Sequence, residues 1–554
     1  MSPVLARVME STWNHATEVA SQRPVLFFAV VLGTAWVIFK VLYNLILYPR
    51  FLSPLRSIPG PPVGHPIYGQ IIPIIKGEAG IPQRAWVKEH GPVVRVVGPV
   101  GLERLIFMKP EANQKILMSD WIDYPRPKFM RDVLATVTGY GLLTVTGNDH
   151  KQMRKAMNPA FSIPNLMAQS DMYYGPIEGL VKILHKEIDS EKVPENGKEL
   201  LMYEWLSKVT LDIICETAFG YRSDSLHNPH NELAEAYDKL TSLQTGTNLA
   251  RFIAIVSIPG AVKFISSEWV YKHRSWLRKF SHTSALADLM ESMHRIRKVS
   301  AQMLEEKMKD SAVPISDSET KRDIMSILVR ARKADLDSKA GGYAMSDEAM
   351  MDQVLTFLGA GHETTASGLA WTLWLLAKDP ESQRKLREEV TALFAETSQP
   401  DYRALKDLKW LECVVQESLR VMPPVPMTFR QAAKTDFIDG VLVPKGTFFY
   451  IPIRVINTWK EVWGDDAEEF KPSRWLNLPP NYNAIFSSLS FLAGPHACIG
   501  KTMAIVEMKA VLAALIYHFE FEPAYEGQVP QPTAAVTMKP KDNMPLRVRK
   551  VKRS

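Results

Sequence analysis

Cysteine is scarce: Cys215, Cys413 and Cys498 are the only three in 554 residues. An odd, sparse set excludes a disulfide framework and points to a reducing compartment. Asn-x-Ser/Thr glycosylation acceptors are lacking altogether, which fits a body on the cytosolic side of a membrane. Charge of one sign is lacking too. The 66 basic and 60 acidic side chains leave a net +6, too even a balance to indicate nucleic-acid binding. Only Arg547–Arg553 is densely basic, and it is expected to be a solvated or weakly membrane-attracted tail. Internal repeats and low-complexity breaks are absent as well, so the chain beyond its N-terminal region reads as one domain.

One long apolar run is present. Val25 to Leu47 carries a single charge, Lys40. As a helix these residues span about 34 Å, enough to cross a bilayer. A cleaved signal peptide would have a shorter run followed by small residues, whereas Tyr48-Pro-Arg-Phe51 follows here. Lys40, Arg50 and Arg56 on one side, against Arg7 and Arg23 offset by Glu10 and Glu18 on the other, bias the body weakly toward the cytosol. Ser57-Ile-Pro-Gly-Pro-Pro62 then predicts a stiff, extended connection. The expected divisions are an N-terminal segment 1–24, an anchor 25–47, a proline-rich linker 48–62 and a catalytic body 63–554.

The body is expected to be mainly α with small β-sheets. Ser346, followed by Asp347 and Glu348, is a good helix start. The helix it opens continues to Lys378 before Asp379-Pro380, about 48 Å at about 1.5 Å per residue. Gly359 and Gly361 interrupt it, which predicts local distortion or a closely approaching ligand. A second helix is expected from Asp407 to Arg420, strands at Val93–Val100, Gly440–Val443 and Phe448–Ile453, and a mobile polar loop at Asp310–Gly342.

The chemistry-bearing segment is Phe491-Leu-Ala-Gly-Pro-His-Ala-Cys498-Ile-Gly500. Gly494 and Gly500 let backbone pass close to a flat ligand, and an apolar helix is expected from Met503 to Phe519. Cys498 then stands near a helix N-terminus, where amide N–H groups favour a thiolate, the soft ligand that redox-active iron needs. Phe491 is placed to shield the sulfur.

Phe-x-x-Gly-x-x-x-Cys-x-Gly resembles the haem-binding loop of the cytochrome P450 superfamily. Further segments resemble family motifs in the same order. Glu417-Ser-Leu-Arg420 and Phe470-Lys-Pro-Ser-Arg474-Trp475 are similar to those whose Glu417, Arg420 and Arg474 would form a buried structural triad behind the loop. Ala360-Gly361-His362-Glu363-Thr364-Thr365 resembles the oxygen-activating stretch, with Glu363 as the acid and Thr364 as the proton-delivering alcohol. A zinc motif would need a second histidine three residues after Glu363, where Ala366 stands. Gly147-Asn-Asp-His150-Lys-Gln-Met-Arg154 and Pro426-Met-Thr-Phe-Arg430 are similar to the segments that hold haem propionates. Two positions depart from the usual pattern: His496 replaces an arginine and His150 a tryptophan, both changes seen among fungal members.

The resemblance implies the cytochrome P450 fold behind a single N-terminal transmembrane helix, and a b-type haem held by Cys498. It also implies contributions to haem binding from Phe491, Gly494, His496, Gly500, His150, Arg154 and Arg430. Electrons would come from NADPH through a cytochrome P450 reductase, with cytochrome b5 a second candidate donor, docking near Lys501 or Lys151. O2 and a lipophilic molecule would be the substrates: a secondary metabolite, terpenoid, steroid or polycyclic aromatic. The expected location is the endoplasmic reticulum membrane with the catalytic body cytosolic. Phe357, Ala360, Val425, Met427 and Val536 are expected pocket residues, as are Leu134, Val137 and Met538, on apolar segments that suit such a molecule. Two rival readings are a haem-thiolate isomerase or dehydratase, against which the Glu363-Thr364 pair counts, and a non-catalytic membrane haem-binding protein.

Overall fold

The computed structural model describes residues 24–189, 197–243, 246–256, 258, 260–265, 267–280, 283–310, 322–337, 343–533 and 536–552. The charges at Arg7, Glu10, Glu18 and Arg23, and the tail residue Arg553, lie outside the described residues. Six helices organise the site: α1 (Pro24–Leu42), α2 (Gly147–Met157), α3 (Met202–Phe219), α4 (Asp347–Lys378), α5 (Lys409–Val421) and α6 (Lys501–His518). Strands β1 (Val93–Val97), β2 (Glu103–Phe107), β4 (Thr428–Gln431) and β7 (Phe448–Ile451) form one sheet in the order β1-β2-β7-β4. Strands β3 (Lys198–Leu201), β8 (Phe519–Pro523) and β9 (Pro545–Lys550) form a second in the order β3-β9-β8, and β5 (Asp436–Ile438) pairs β6 (Val441–Val443). The fold is mainly α with small sheets, as expected.

The apolar run is helical from Pro24, and its last turns, Tyr43–Leu52, continue as a π-helix across the expected start of the linker. Phe27–Leu52 is long and apolar enough to cross a membrane, and none of its apolar window is buried. Its end is tied to the body and not merely tethered. Pro49 is buried. Arg95 of β1 donates to the Pro49 carbonyl and pairs with Glu103 of β2 at 2.6 Å, and Glu103 also accepts from Ser53 Oγ at 2.7 Å. The linker is part helical, Pro54–Ser57 forming a 3-10 turn before the chain extends.

Three expectations are corrected. The basic tail is not solvated: Pro545–Lys550 is β9, the middle strand of its sheet, with Arg549 on Glu522 and Lys550 on Asp189. Cross-strand carboxylates absorb its charge. The polar stretch 310–342 contains a helix, Ile324–Asp337, because Ile324, Met325, Leu328 and Val329 fall on one face and are buried. Gly359 and Gly361 do not distort α4, which is continuous. They serve close packing: a Cβ at Gly361 would lie 2.7 Å from Ile214 of α3, and one at Gly359 3.2 Å from Thr138.

Ser346 caps α4 as expected, accepting from Ala349 N at 3.1 Å. The N-terminal half of α4, Met350 to Leu358, belongs to one apolar core with α3, and its C-terminal half, Ala366 to Ala377, to another with α5, α6 and the β3-β9-β8 sheet. Between the two cores, Ala360 is exposed and Gly361, Glu363 and Thr364 are half-buried. Away from its exposed ends, the middle of this central helix opens at the seam, as a helix facing an internal cleft would.

Candidate active site

The Cys498 loop is built by short-range backbone bonds and one close approach. Cys498 N donates to the Phe491 carbonyl at 2.8 Å and Ala497 N to Gly494 at 2.9 Å, before α6 begins at Lys501. Gly494 has φ +72°, and a Cβ there would lie 2.0 Å from the Leu117 carbonyl oxygen. Neighbouring backbone alone therefore requires a glycine at 494, whereas Gly500 faces open space. Phe491 is half-buried, with the Lys501 ammonium 5.7 Å from its ring centre. Substituting Gly494→Ala is expected to cost at least about 1–2 kcal/mol from the left-handed backbone alone, and more from the clash. Denaturant unfolding and haem content per chain measure it.

Cys498 has open surface, yet burial dominates its thiol, as for a group that faces an internal cleft. The expected lowering of its acidity constant by the helix start is not the net result. Burial raises the thiol above its ordinary range, while the Gly500 N–H, Arg154 and Lys501 work the other way.

Beside the loop stands a cluster of hydrogen-bond donors. The His150 and His496 rings are buried with centroids 3.8 Å apart, and Trp121 meets both edge-on at 5.7 and 5.2 Å. Arg126 and Arg430 lie in the same pocket, both buried. Burial and Arg126 together drive the Arg430 guanidinium well below its usual value, and burial brings Arg126 down to about 10. The same surroundings, burial first and then Arg126, Arg154 and Arg430, push His150 down to about 4 and His496 lower still. Among the described residues none of these groups forms an ion pair with a carboxylate, and His150 Nδ1, His496 Nε2 and Arg430 Nη2 are buried without a hydrogen-bond partner. Arg154 is placed differently from the expectation. Its guanidinium donates to the Pro495 and Ala497 carbonyls and to Asn158 Oδ1, so it fastens α2 to the Cys498 loop. Trp121 and Arg126 were not legible as site residues, because neither sits in a periodic or motif-like context.

On α4, Thr364 Oγ1 donates back to the Ala360 carbonyl at 2.7 Å without opening the helix. Glu363 accepts from Thr537 Oγ1 at 2.6 Å, and burial raises its carboxyl above the usual range against the pull of Thr537 and Lys539. His362 points the other way. It is buried on Tyr237 at 4.6 Å and bonded through Nδ1 to the Leu358 carbonyl. Phe357 and Met538 are buried: Phe357 packs on Phe161 and Phe219, and Met538 is fully covered with its carbonyl held by Ser367 and Trp371. Val137, Val425, Met427 and Val536 are half-buried, and Leu134 is as well.

Glu417, Arg420 and Arg474 meet in one buried network that also takes in Asp466, Lys471 and Trp475. Glu417, fully buried, accepts from Arg420 Nε at 2.7 Å and Nη2 at 2.8 Å, from Arg474 Nε at 3.3 Å, and also from Trp475 Nε1 and Lys471 N, each at 2.9 Å. Arg474 extends to Asp466 at 2.8 Å and holds that carboxyl down at about 2. Arg420 reaches the Asn457 carbonyl, and the Asn457 side chain accepts from Leu489 N at 2.7 Å and donates to Ser490 Oγ at 2.8 Å, the start of the Cys498 loop. The charge network is thus wired to the loop.

The family model described as "Cytochrome P450" matches residues 59–547. Cytochrome P450 monooxygenase 205 of Postia placenta is 35% identical over 498 residues, covering 85% of this chain and 87% of the relative. Cytochrome P450 monooxygenase sphH of Aspergillus fumigatus is 30% identical over 531 residues, covering 93% and 92%. Cytochrome P450 monooxygenase 128 of Postia placenta is 30% identical over 553 residues, covering 93% and 96%. The family implies a haem, and the residues fit one. Unpaired buried donors at Arg430, His150 and His496, with Arg126 beside them, suit its two carboxylates, and a cleft-facing cysteine lies on the adjoining loop. The chain belongs to the cytochrome P450 family, among its fungal-type monooxygenases.

Proposed function

We propose that this chain is a membrane-bound haem-thiolate monooxygenase that inserts one atom of O2 into a lipophilic substrate, drawing electrons from NADPH through a separate reductase. Haem, when bound, would supply O2 binding and activation, and the Cys498 thiolate would hold its iron. Arg126, Arg430, His150 and His496 would hold its carboxylates. Thr364 and Glu363 would handle protons at the cleft. The observation that carries this reading is the seam of α4, where an alcohol and a half-buried carboxyl of raised affinity for protons sit on a mid-helix stretch left open between two buried cores. The exposed Lys151 and Lys501, near the Cys498 loop, suit an acidic electron donor, the reductase or cytochrome b5. The apolar N-terminal helix supports a single-pass anchor, and the endoplasmic reticulum is the proposed membrane. Secondary metabolites, terpenoids, steroids and polycyclic aromatics remain the proposed substrate range, on the apolar character of Ala360, Val425, Met427 and Val536.

Reconstitution with a reductase in bilayer discs, following NADPH, O2 and product together across a lipophilic panel, tests the reading. Product that forms without NADPH would identify an isomerase or dehydratase, and no product with any member of the panel would count against turnover. Thr364→Ala is expected to keep haem and NADPH oxidation while product per NADPH falls about tenfold or more, the rest appearing as peroxide. An unchanged product yield would remove Thr364 from proton delivery.

A further inference from the structure

Glu363 is joined outward to two further elements. One is the C-terminal hairpin closed by the Pro532–Pro540 bridge and by Thr533 N on the Lys539 carbonyl at 2.8 Å. Its Thr537 Oγ1 donates to Glu363, and Lys539, two residues on, donates from Nζ to Thr241 Oγ1 at 3.0 Å. The other is the helix Glu232–Leu243, where Thr241 Oγ1 donates in turn to the Asp238 carbonyl at 3.1 Å. Tyr203 of α3 lies under the ammonium, its ring centre 5.9 Å from Nζ. Exposure grades along this line: Glu363 and Lys539 are half-buried and Asp238 is exposed. Among the described residues Lys539 makes no direct ion pair, yet Glu363 on one side and Asp238 on the other both favour its charge, against a burial that prevails and lowers it. Burial likewise raises Glu363, and Asp238 in its crowded setting, while Lys539 pulls each back. Burial and then the same two carboxyls raise the Tyr203 phenol. A static salt bridge would bring the charges into contact and drive acid and base apart in proton affinity. Here acids and amine move toward one another, the direction that eases proton exchange between them.

We infer that Asp238 and Lys539 form the proton inlet of the cleft, carrying protons from solvent to Glu363 between the C-terminal hairpin and the helix Glu232–Leu243. The inference rests on the reading of Glu363 as the acid at the cleft. Asp238 takes a proton from solvent. The Lys539 ammonium gives one of its protons to the Glu363 carboxylate and is recharged from the Asp238 carboxyl. Neither gap is a direct contact, so a water bridges each. One proton enters for each that Glu363 delivers, and no other bond changes. Lys539 and Asp238 act through Glu363 and touch no reacting atom, while Thr241 and Tyr203 position the ammonium. A buried lysine suits this task because its proton affinity falls readily on burial, whereas a guanidinium keeps its proton.

Turnover of the holoprotein with a reductase in bilayer discs, followed as product, peroxide and NADPH in water and in deuterium oxide, reads the inlet. Lys539→Met is expected to keep haem and the red-shifted Soret band of the reduced CO complex. Its product per NADPH should fall about fivefold or more, and its solvent isotope effect on product formation should rise about twofold. Lys539→Arg keeps the charge and a donor for Thr241 but holds its proton, so it is expected to match Lys539→Met. Parental yield and isotope effect in the arginine variant would overturn the inference and leave Lys539 a structural cation. Where a Lys539 variant accumulates without haem, Asp238→Asn decides on the exposed side. It is expected to lose about threefold in product per NADPH with a raised isotope effect, and Asp238→Glu to restore both. Parental values in Asp238→Asn would overturn the inlet. Glu363→Gln separates the two levels. If it uncouples product from NADPH while the Lys539 and Asp238 variants do not, the inlet is wrong and the Glu363 reading stands. If Glu363→Gln itself keeps parental coupling, the acid reading fails and the inlet with it.

Discussion

Cys498→Ser is expected to abolish the red-shifted Soret band of the reduced CO complex, and with it all NADPH-dependent product. A serine hydroxyl does not ionise in a site that already raises a thiol by burial, and its oxygen is a poor, hard donor for the soft iron–sulfur interaction that the band depends on. The groups that favour an anion there, the Gly500 N–H, Arg154 and Lys501, remain but act on an alcohol too weakly acidic to respond. The fold is expected to survive, because Cys498 belongs to none of the buried cores and the loop is held by the Phe491 carbonyl and the Arg154 clamp. Difference spectra of the reduced protein with and without CO give the result, and a red-shifted band that persists in the serine variant would reject Cys498 as the ligand. Cys413→Ala and Cys215→Ala serve as controls. Cys413 is buried with its thiol pushed up to about 11, Cys215 is buried with its thiol pushed higher, and neither variant should move the band.

What could be read before the structure was local. The Cys498 loop packs its signature into ten residues, the α4 start is written in Ser346 and the acids after it, and Glu417 and Arg420 share one helical turn. Each depends on neighbours a few residues away, where spacing alone decides geometry. What could not be read depends on contacts between distant segments. Gly494 is required by the Leu117 backbone, and Arg154 turns to loop carbonyls and not to a free carboxylate. Arg126 and Trp121 join the site only because the chain after β2 folds over α2. Phe357 lies one turn before the exposed Ala360 on the same side of α4, yet Phe161 and Phe219, from distant segments, pack over it. The β9 strand shows the same limit from the other side: a run of basic residues looks solvated until the acidic strand beside it is known. The helix Ile324–Asp337 was within reach, since its apolar residues recur at helical spacing inside a stretch whose polarity drew attention away.

Arg420→Ala is expected to be the most destabilising single change in the body, by about 3–5 kcal/mol, because it leaves the Glu417 carboxylate buried without its main partner. That is a large part of the roughly 5–15 kcal/mol that separates folded from unfolded domains. The loss is not confined to one pair. The Arg420 guanidinium lies 4.7 Å from the Trp463 ring centre and donates to Glu417 and to the carbonyls of Asn457, Ala467 and Glu469, so its removal frees the segment that carries Asn457 and, through it, Leu489 and Ser490. Arg420→Lys should not rescue, since one ammonium cannot reach both carboxylate oxygens and three carbonyls that a planar fork meets at once. Haem incorporation should therefore fail in both variants even though position 420 lies behind the loop, fully buried. Arg474→Lys should be milder, because Glu417 keeps Arg420, Trp475 and the Lys471 N–H. Urea unfolding followed by circular dichroism, with haem content measured on the same preparations, orders the three. A lysine variant at 420 with parental stability would show that charge alone, and not the forked geometry, holds the loop in place.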